Sequence, residues 1–352
     1  MATCRRDFLK GAVLAAAAAG RGMAQEAAKP DEIRAVLLHM GLNMWGDWRM
    51  AGEVAEEGRQ YTPDHVRFDE AIWRKLIDHM ATRRMNMVVI DLGEFMKFPS
   101  HPELAVKGSW EPDRLRAEVQ RLKGLGLEPI PKLNFSTTHD AWLQIYQRMI
   151  ATQKYYQVVR DLIRDVVEVF GKPRLFHLGF DVEVIGNQQG MSYVCLRQGE
   201  LWWHDFLYTI RCVEEAGSRA WVWSDYGWHH PDYFTRCPKS VMQSNWYYDE
   251  ANADFSLDEK VNAHAYRLKE FYNLEKAGFD QIPCGTNWVG WKRREAKVGA
   301  DDVIGKLVPY CRKIIAPERL KGFLMAPWSN CADEEGLTVN TKGIDLFAAC
   351  FK

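Results

Sequence analysis

The sequence predicts an α/β protein built as a single (β/α)8 barrel, a TIM barrel, and three observations predict it. From residue 33 onward short apolar, β-rich runs alternate with longer helix-forming stretches, the order that argues a parallel sheet with crossover helices. Eight such runs can be counted, and no glycine-rich phosphate turn follows any of them, which favours a closed barrel over an open doubly wound sheet. With 352 residues the chain is long enough for a leader and one domain of barrel size, and a second full domain is not expected.

The eight runs are Ala35–Leu38, Met87–Ile90, Glu128–Leu133, Leu175–Leu178, Ala220–Trp223, Val241–Asn245, Ile282–Thr286 and Gly322–Met325. Between the first two, Asp69–Arg84 is expected to be helical because Ile72, Leu76, Ile77 and Met80 recur on one face at helical spacing. Pro112–Leu122 follows the second run, with Pro112 at a favoured first-turn position and Leu115, Val119 and Leu122 facing inward. Tyr155–Phe170 and Leu201–Ala216 carry the same helical pattern before the fourth and fifth strands. No internal repeat, low-complexity linker or domain boundary interrupts the series.

Ahead of the barrel, Arg5-Arg6-Asp7-Phe8-Leu9-Lys10 precedes an apolar run, Ala12 to Ala19, that is too short to span a bilayer. Two arginines, one free position and Phe-Leu-Lys resemble a twin-arginine export signal, and Gly22-Met23-Ala24 supplies the small residues of a cleavage site. Residues 1–24 are therefore expected to be a removed signal peptide and 25–352 the barrel. The mature protein is expected to be periplasmic or extracellular, without stable membrane insertion. Seven cysteines remain after that cleavage, widely spaced and without a CxxC pair, so neither a disulfide framework nor a zinc site is expected.

Composition narrows the partner. Lys+Arg 46 against Asp+Glu 47 leaves the chain nearly neutral, which excludes the charge footprint of a nucleic-acid binder. Fourteen Trp and thirteen Tyr form a heavy aromatic load, suited either to core packing or to flat surfaces that stack on sugar rings.

In a barrel of this type catalysis sits at the C-terminal strand ends, so the residues just after each run are the candidates. They include Asp91, His139, Asp181-Val182-Glu183, Ser224-Asp225, Trp246-Tyr247-Tyr248-Asp249, Asn287-Trp288 and Trp328. Trp223, Trp246, Trp288 and Trp328 occupy equivalent places on four successive strands, and exposed tryptophan is costly unless it has something to cover. A carbohydrate is the expected substrate, with Asp91, His139, Trp223, Asp225, Trp246, Tyr247, Trp288 and Trp328 lining its site.

The sharpest element is His177-Leu178-Gly179-Phe180-Asp181-Val182-Glu183. Two carboxylates two residues apart on an extended strand project from one side, and their repulsion raises the pKa of one, so that an acid and an anion coexist. A helix N-cap with a first-turn acid is the structural alternative.

His177-x-Gly179-x-Asp181 resembles the strand-four signature His-x-Gly-Gly-Asp-Glu of glycoside hydrolase family 20, the β-N-acetylhexosaminidases. His101-Pro102-Glu103-Leu104 with Lys107-Gly108, and Glu128-Pro129-Ile130-Pro131 through His139, resemble that family's segments after its second and third strands. Trp223-Ser224-Asp225, Gln243-Ser244-Asn245-Trp246 and Trp328-Ser329 follow in the same order, so the likeness runs over roughly residues 35 to 335. The resemblance implies a retaining hydrolase of terminal N-acetylhexosamine glycans that needs no cofactor or metal. In it the sugar's own acetamido oxygen attacks the anomeric carbon, Asp181 holds the acetamido nitrogen and Glu183 is the general acid and base.

The family's Glu directly follows its Asp, and here that place is Val182. Three outcomes are open: a bulged strand end that brings Glu183 to the same point, an acid supplied from elsewhere, or a glycan-binding barrel without hydrolysis. A metal-dependent sugar isomerase or lyase is a further alternative, with Glu183, Asp225, His229 or His230 and Asp249 as ligands.

Overall fold

The computed structural model describes residues 32–41, 64–188, 191, 194–248, 255–287 and 303–351. The expected signal peptide, the loop after the first strand and Trp288 lie outside the described residues.

All eight expected strands form, and each is followed by a helix. The order is β1 (Ile33–His39), α1 (Glu70–Thr82), β2 (Met87–Asp91), α2 (Pro112–Gly124), β3 (Glu128–Lys132), α3 (Gln153–Phe170), β4 (Leu175–His177) and α4 (Gly199–Ala216). It continues through β5 (Arg219–Trp223), α5 (Tyr233–Arg236), β6 (Met242–Ser244), α6 (Ala265–Lys276), β7 (Cys284–Gly285), α7 (Val303–Ile314), β8 (Gly322–Met325) and α8 (Glu334–Ala349). The helices start where the sequence places caps. Asp69 accepts from Ala71 N and Ile72 N at 2.8 and 3.0 Å to begin α1, and Gly171 and Gly217 close α3 and α4 in the left-handed conformation.

Neighbouring strands pair in parallel in the order β6-β5-β4-β3-β2-β1-β8-β7. The remaining seam, β6 to β7, is made by bridges Gln243↔Gln281 and Trp246↔Cys284, which bring the sheet round to a nearly closed barrel. Gly322, at φ +141, lies flush against β1: a Cβ there would fall 2.1 Å from Ile33 O.

Alternation along the strands separates two apolar cores. Val36, Leu38, Val88 and Ile90 point outward and pack under the helices, whereas Ala35, Leu37, Val89, Ile130, Leu175, Trp221 and Leu324 fill the barrel interior. Above that interior the register places His39 beside Asp91, Asp91 beside Lys132 and Lys132 beside His177, a continuous polar layer at the strand C-termini. This layer is the floor of the barrel mouth.

Candidate active site

Lys132 is completely buried and its ammonium bonds Asp91 Oδ2, with His39 Nδ1 3.5 Å from the same oxygen. Burial pushes the His39 ring down to about 4, against the opposing pull of Asp91. Asp91 is thus a member of a buried ion pair that fixes the floor.

The chain leaves β4 at His177 and enters a run in which Gly179 (φ 73), Phe180 (φ 68) and Val182 (φ 46) are left-handed. The rule that residues two apart share a side needs extended backbone, and these torsions remove it. Asp181 and Glu183 consequently have different partners. Asp181 Oδ1 accepts from Asn134 Nδ2 at 2.8 Å and lies 3.4 Å from His139 Nδ1. Burial works to raise the Asp181 carboxyl, but the His139 ring, Lys132 and the Asn134 amide outweigh it and hold it below the usual carboxylate range.

Glu183 turns to Arg197, whose side chain is 1% exposed. Its Oε1 accepts from Arg197 Nη2 and from Thr137 N at 3.0 Å, and its Oε2 faces Arg197 Nε at 3.4 Å. Arg197 also reaches Phe135 O at 2.7 Å and Asp205 Oδ2 at 3.3 Å, so one guanidinium ties the β3 end, the β4 loop and α4 together.

Asp225 opens a short 3-10 turn after β5. Its Oδ2 accepts the backbone N–H of Val182 at 2.8 Å and its Oδ1 faces Trp246 Nε1 at 3.4 Å, which seats the carboxyl beside the residue following Asp181. Burial and the Asp181 charge push Asp225 up to about 7. Two neighbouring carboxyls are therefore pushed in opposite directions, Asp181 down and Asp225 up.

Aromatic rings stand around them. Trp223 packs against His177 at 4.6 Å and Trp328 at 5.9 Å between ring centres, Trp328 approaches Tyr248 at 6.3 Å, and Tyr248 stacks on Trp246 at 4.7 Å. Trp246, Tyr248 and Trp328 stay partly open to solvent over the interior core. Trp223 is 2% exposed, and its indole N–H has no hydrogen-bond partner among the described residues.

The structure thus gathers Asp181, Asp225, His139, Trp223, Trp246 and Trp328 at one end of the barrel. Tyr247 is fully buried in the outer core, with Asn262 Nδ2 3.1 Å from its hydroxyl, because side chains alternate where β6 runs on past Ser244. Lys132 and Arg197 join the site without having been singled out, and Asn134 and Tyr248, which stand among the strand-end residues, join it without having been given a role there. Asn134 carried a signal, its place just beyond β3; Arg197 carried none, since its partners lie 14 and 62 residues away. His230 stacks on Tyr226 at 3.8 Å, and among the described residues no cluster of three His, Cys, Asp or Glu side chains is arranged to hold a metal ion. No described helix is long and apolar enough to cross a membrane.

No protein-family model matches the chain, and no curated protein matches it in sequence. Solved structures do match its fold. A β-N-acetylhexosaminidase from Bacteroides fragilis superposes with a TM-score of 0.56 at 13% identity, over 88% of this chain and 65% of its own. An inactive variant of a glycoside hydrolase family 20 exo-β-N-acetylglucosaminidase from Vibrio harveyi gives 0.54 at 12% identity, over 90% and 56%. The Flavobacterium johnsoniae chitobiase gives 0.56 at 12% identity, over 89% and 48%. This chain spans about half to two thirds of the length of these three proteins. At these identities the likeness establishes a shared (β/α)8 barrel.

Proposed function

We propose that this protein is a retaining glycoside hydrolase acting on terminal N-acetylhexosamine residues with the substrate's acetamido group as nucleophile. The observation that carries the reading is Asp181: a buried carboxylate at the end of β4, kept anionic by Asn134 and His139, and ringed by Trp223, Trp246, Tyr248 and Trp328. A carboxylate in that state suits an acetamido N–H, whose nitrogen becomes positively charged as its oxygen closes on the anomeric carbon. The aromatic faces suit a pyranose ring and an acetyl methyl group, and exclude water from the developing charge. The fold shared with hexosaminidases agrees with that substrate class.

A glycan-binding barrel is the second reading, favoured by the Glu183–Arg197 pair, which occupies both Glu183 oxygens. Release of fluorophore from N-acetylglucosaminide, N-acetylgalactosaminide, glucoside and galactoside, by wild type and Asp181→Asn, separates the two. Acetamido-selective turnover that falls by about 100-fold or more in the variant supports the hydrolase. Absence of turnover on every sugar by the folded protein, with N-acetylglucosamine still bound, establishes the binding barrel instead.

A further inference from the structure

We infer that Asp225, at the end of β5, and not Glu183, is the group that protonates the leaving oxygen in this site. The inference rests on the hydrolase reading above and adds the identity of its acid. Glu183 has both carboxylate oxygens engaged by Arg197 and Thr137, and Arg197 is anchored in turn by Phe135 O and Asp205. Freeing Glu183 would leave a buried guanidinium short of a charge partner.

Asp225 also has both oxygens facing N–H donors, but neither donor is a cation and the indole contact is long at 3.4 Å, so no buried charge depends on its staying ionised. The Val182 N–H holds it next to Asp181, the Trp246 indole links it to the aromatic wall, and its residue is 8% exposed, as is Asp181. Three elements face it. The β4 end brings Asp181, and α6 brings the buried Glu270 carboxyl, packed on Gly227 of the same turn. The third is α5, with the buried Tyr233 phenol. All three are acids, so a proton is favoured somewhere among them, and the raised Asp225 carboxyl is the one beside Asp181 and the indole.

In the first step the Asp225 proton passes to the glycosidic oxygen as the anomeric C–O bond breaks. The acetamido oxygen bonds to the same carbon, Asp181 takes the acetamido N–H as a hydrogen-bond partner, and the aglycone leaves as an alcohol. In the second step water adds to that carbon, gives its proton to the Asp225 carboxylate, and the acetamido C–O bond breaks. Retention of configuration follows from the two displacements.

Leaving-group dependence tests this. An acid is needed for a phenyl or methyl N-acetylglucosaminide and hardly at all for a dinitrophenyl one. In kcat/KM, which reports the first step alone, Asp225→Asn is expected to lose about 100- to 10,000-fold on the phenyl substrate and less than about tenfold on the dinitrophenyl substrate. Glu183→Gln is expected to change both rates by one common factor, and Asp225→Glu, which keeps a proton, to retain the wild-type ratio between substrates. That last variant keeps the test open should Asp225→Asn not fold. A uniform loss in Asp225→Asn, a wild-type ratio lost in Asp225→Glu, or a selective loss in Glu183→Gln overturns the assignment while leaving the hydrolase intact. A wild type that turns over none of the substrates removes the hydrolase reading and the acid with it.

Discussion

Gly179 lies directly against Asn134: a Cβ on Gly179 would fall 1.9 Å from Asn134 Oδ1 and 2.9 Å from its Cα, and Gly179 itself sits at φ +73. The glycine that follows β4 is therefore what lets the amide from the β3 end reach Asp181 at 2.8 Å.

Gly179→Ala is expected to destabilise the protein by about 3 kcal/mol, from the left-handed backbone and the overlap together. Adding Asn134→Ala should recover part of that loss by removing the Oδ1 clash. Urea midpoints of the single and double variants check it; an unchanged midpoint in Gly179→Ala means that the β3 and β4 ends do not touch in this way.

Arg197 is the second point where the β4 loop is fastened. Arg197→Met would leave Glu183 and Asp205 buried without their cation, and breaking such a pair from one side costs about 3–5 kcal/mol. The double variant Arg197→Met with Glu183→Gln removes the stranded charge and should be more stable than Arg197→Met alone. A double variant no better than the single one, in equilibrium denaturation, would show that the Glu183 contact contributes nothing to the fold.

The buried carboxyls set a pH dependence of stability. Burial, opposed by the Gln147 amide, leaves Asp140 pushed up to about 8, and burial does the same for Glu270. Stability that is fully present below their unfolded values near about 4 is lost as pH rises toward 8, because only the unfolded chain gives up these protons. His39 and His177, kept neutral by burial, oppose this trend only below about pH 6.5, where the unfolded rings gain protons. Between about pH 6.5 and 8 Asp140 and Glu270 pull in one direction, joined by Asp225, pushed up to about 7, with a slope of up to about 1.4 kcal/mol per pH unit for each. Melting temperatures should therefore fall across that window, and Asp140→Asn or Glu270→Gln should flatten the fall. A melting temperature that rises from pH 6.5 to 8 contradicts it.

The fold was legible because it depends on local signals. Each strand is a short apolar run, the early helices carry a one-sided apolar stripe, and Asp69 and Gly171 sit where a chain must enter and leave a helix. The site was legible to the extent that a strand end dictates where a side chain goes, which is why Asp181, Asp225 and three of the four tryptophans meet. It failed where the backbone departs from extended geometry. The left-handed torsions at Gly179, Phe180 and Val182 come from contacts with Asn134 and Asp225, 45 and 43 residues away in the chain, and they redirect Glu183. Buried ion pairs such as Lys132 with Asp91 were invisible for the same reason, since the partners are 41 residues apart and neither marks the other.

Consecutive aromatic residues on β6 and its extension should separate by alternation. Trp246 and Tyr248 face the mouth, with the Arg267 guanidinium 4.6 Å from the Trp246 ring, while Tyr247 is buried in the outer core with Phe255 and Asn262. Tyr247→Phe should cost about 1 kcal/mol of stability, because one buried hydroxyl is lost while Asn262 keeps its bond to Ser256 O at 3.0 Å. It should leave the affinity for N-acetylglucosamine as it was. Trp246→Ala and Trp328→Ala should instead weaken that affinity by about tenfold each, the equivalent of one aromatic contact of about 1.4 kcal/mol. Calorimetric titration of N-acetylglucosamine beside thermal melts distinguishes the two classes. Should Tyr247→Phe weaken binding as much as Trp246→Ala does, the sugar does not lie over the barrel mouth, and the assignment of Asp181 and Asp225 to its acetamido group and leaving oxygen falls with it.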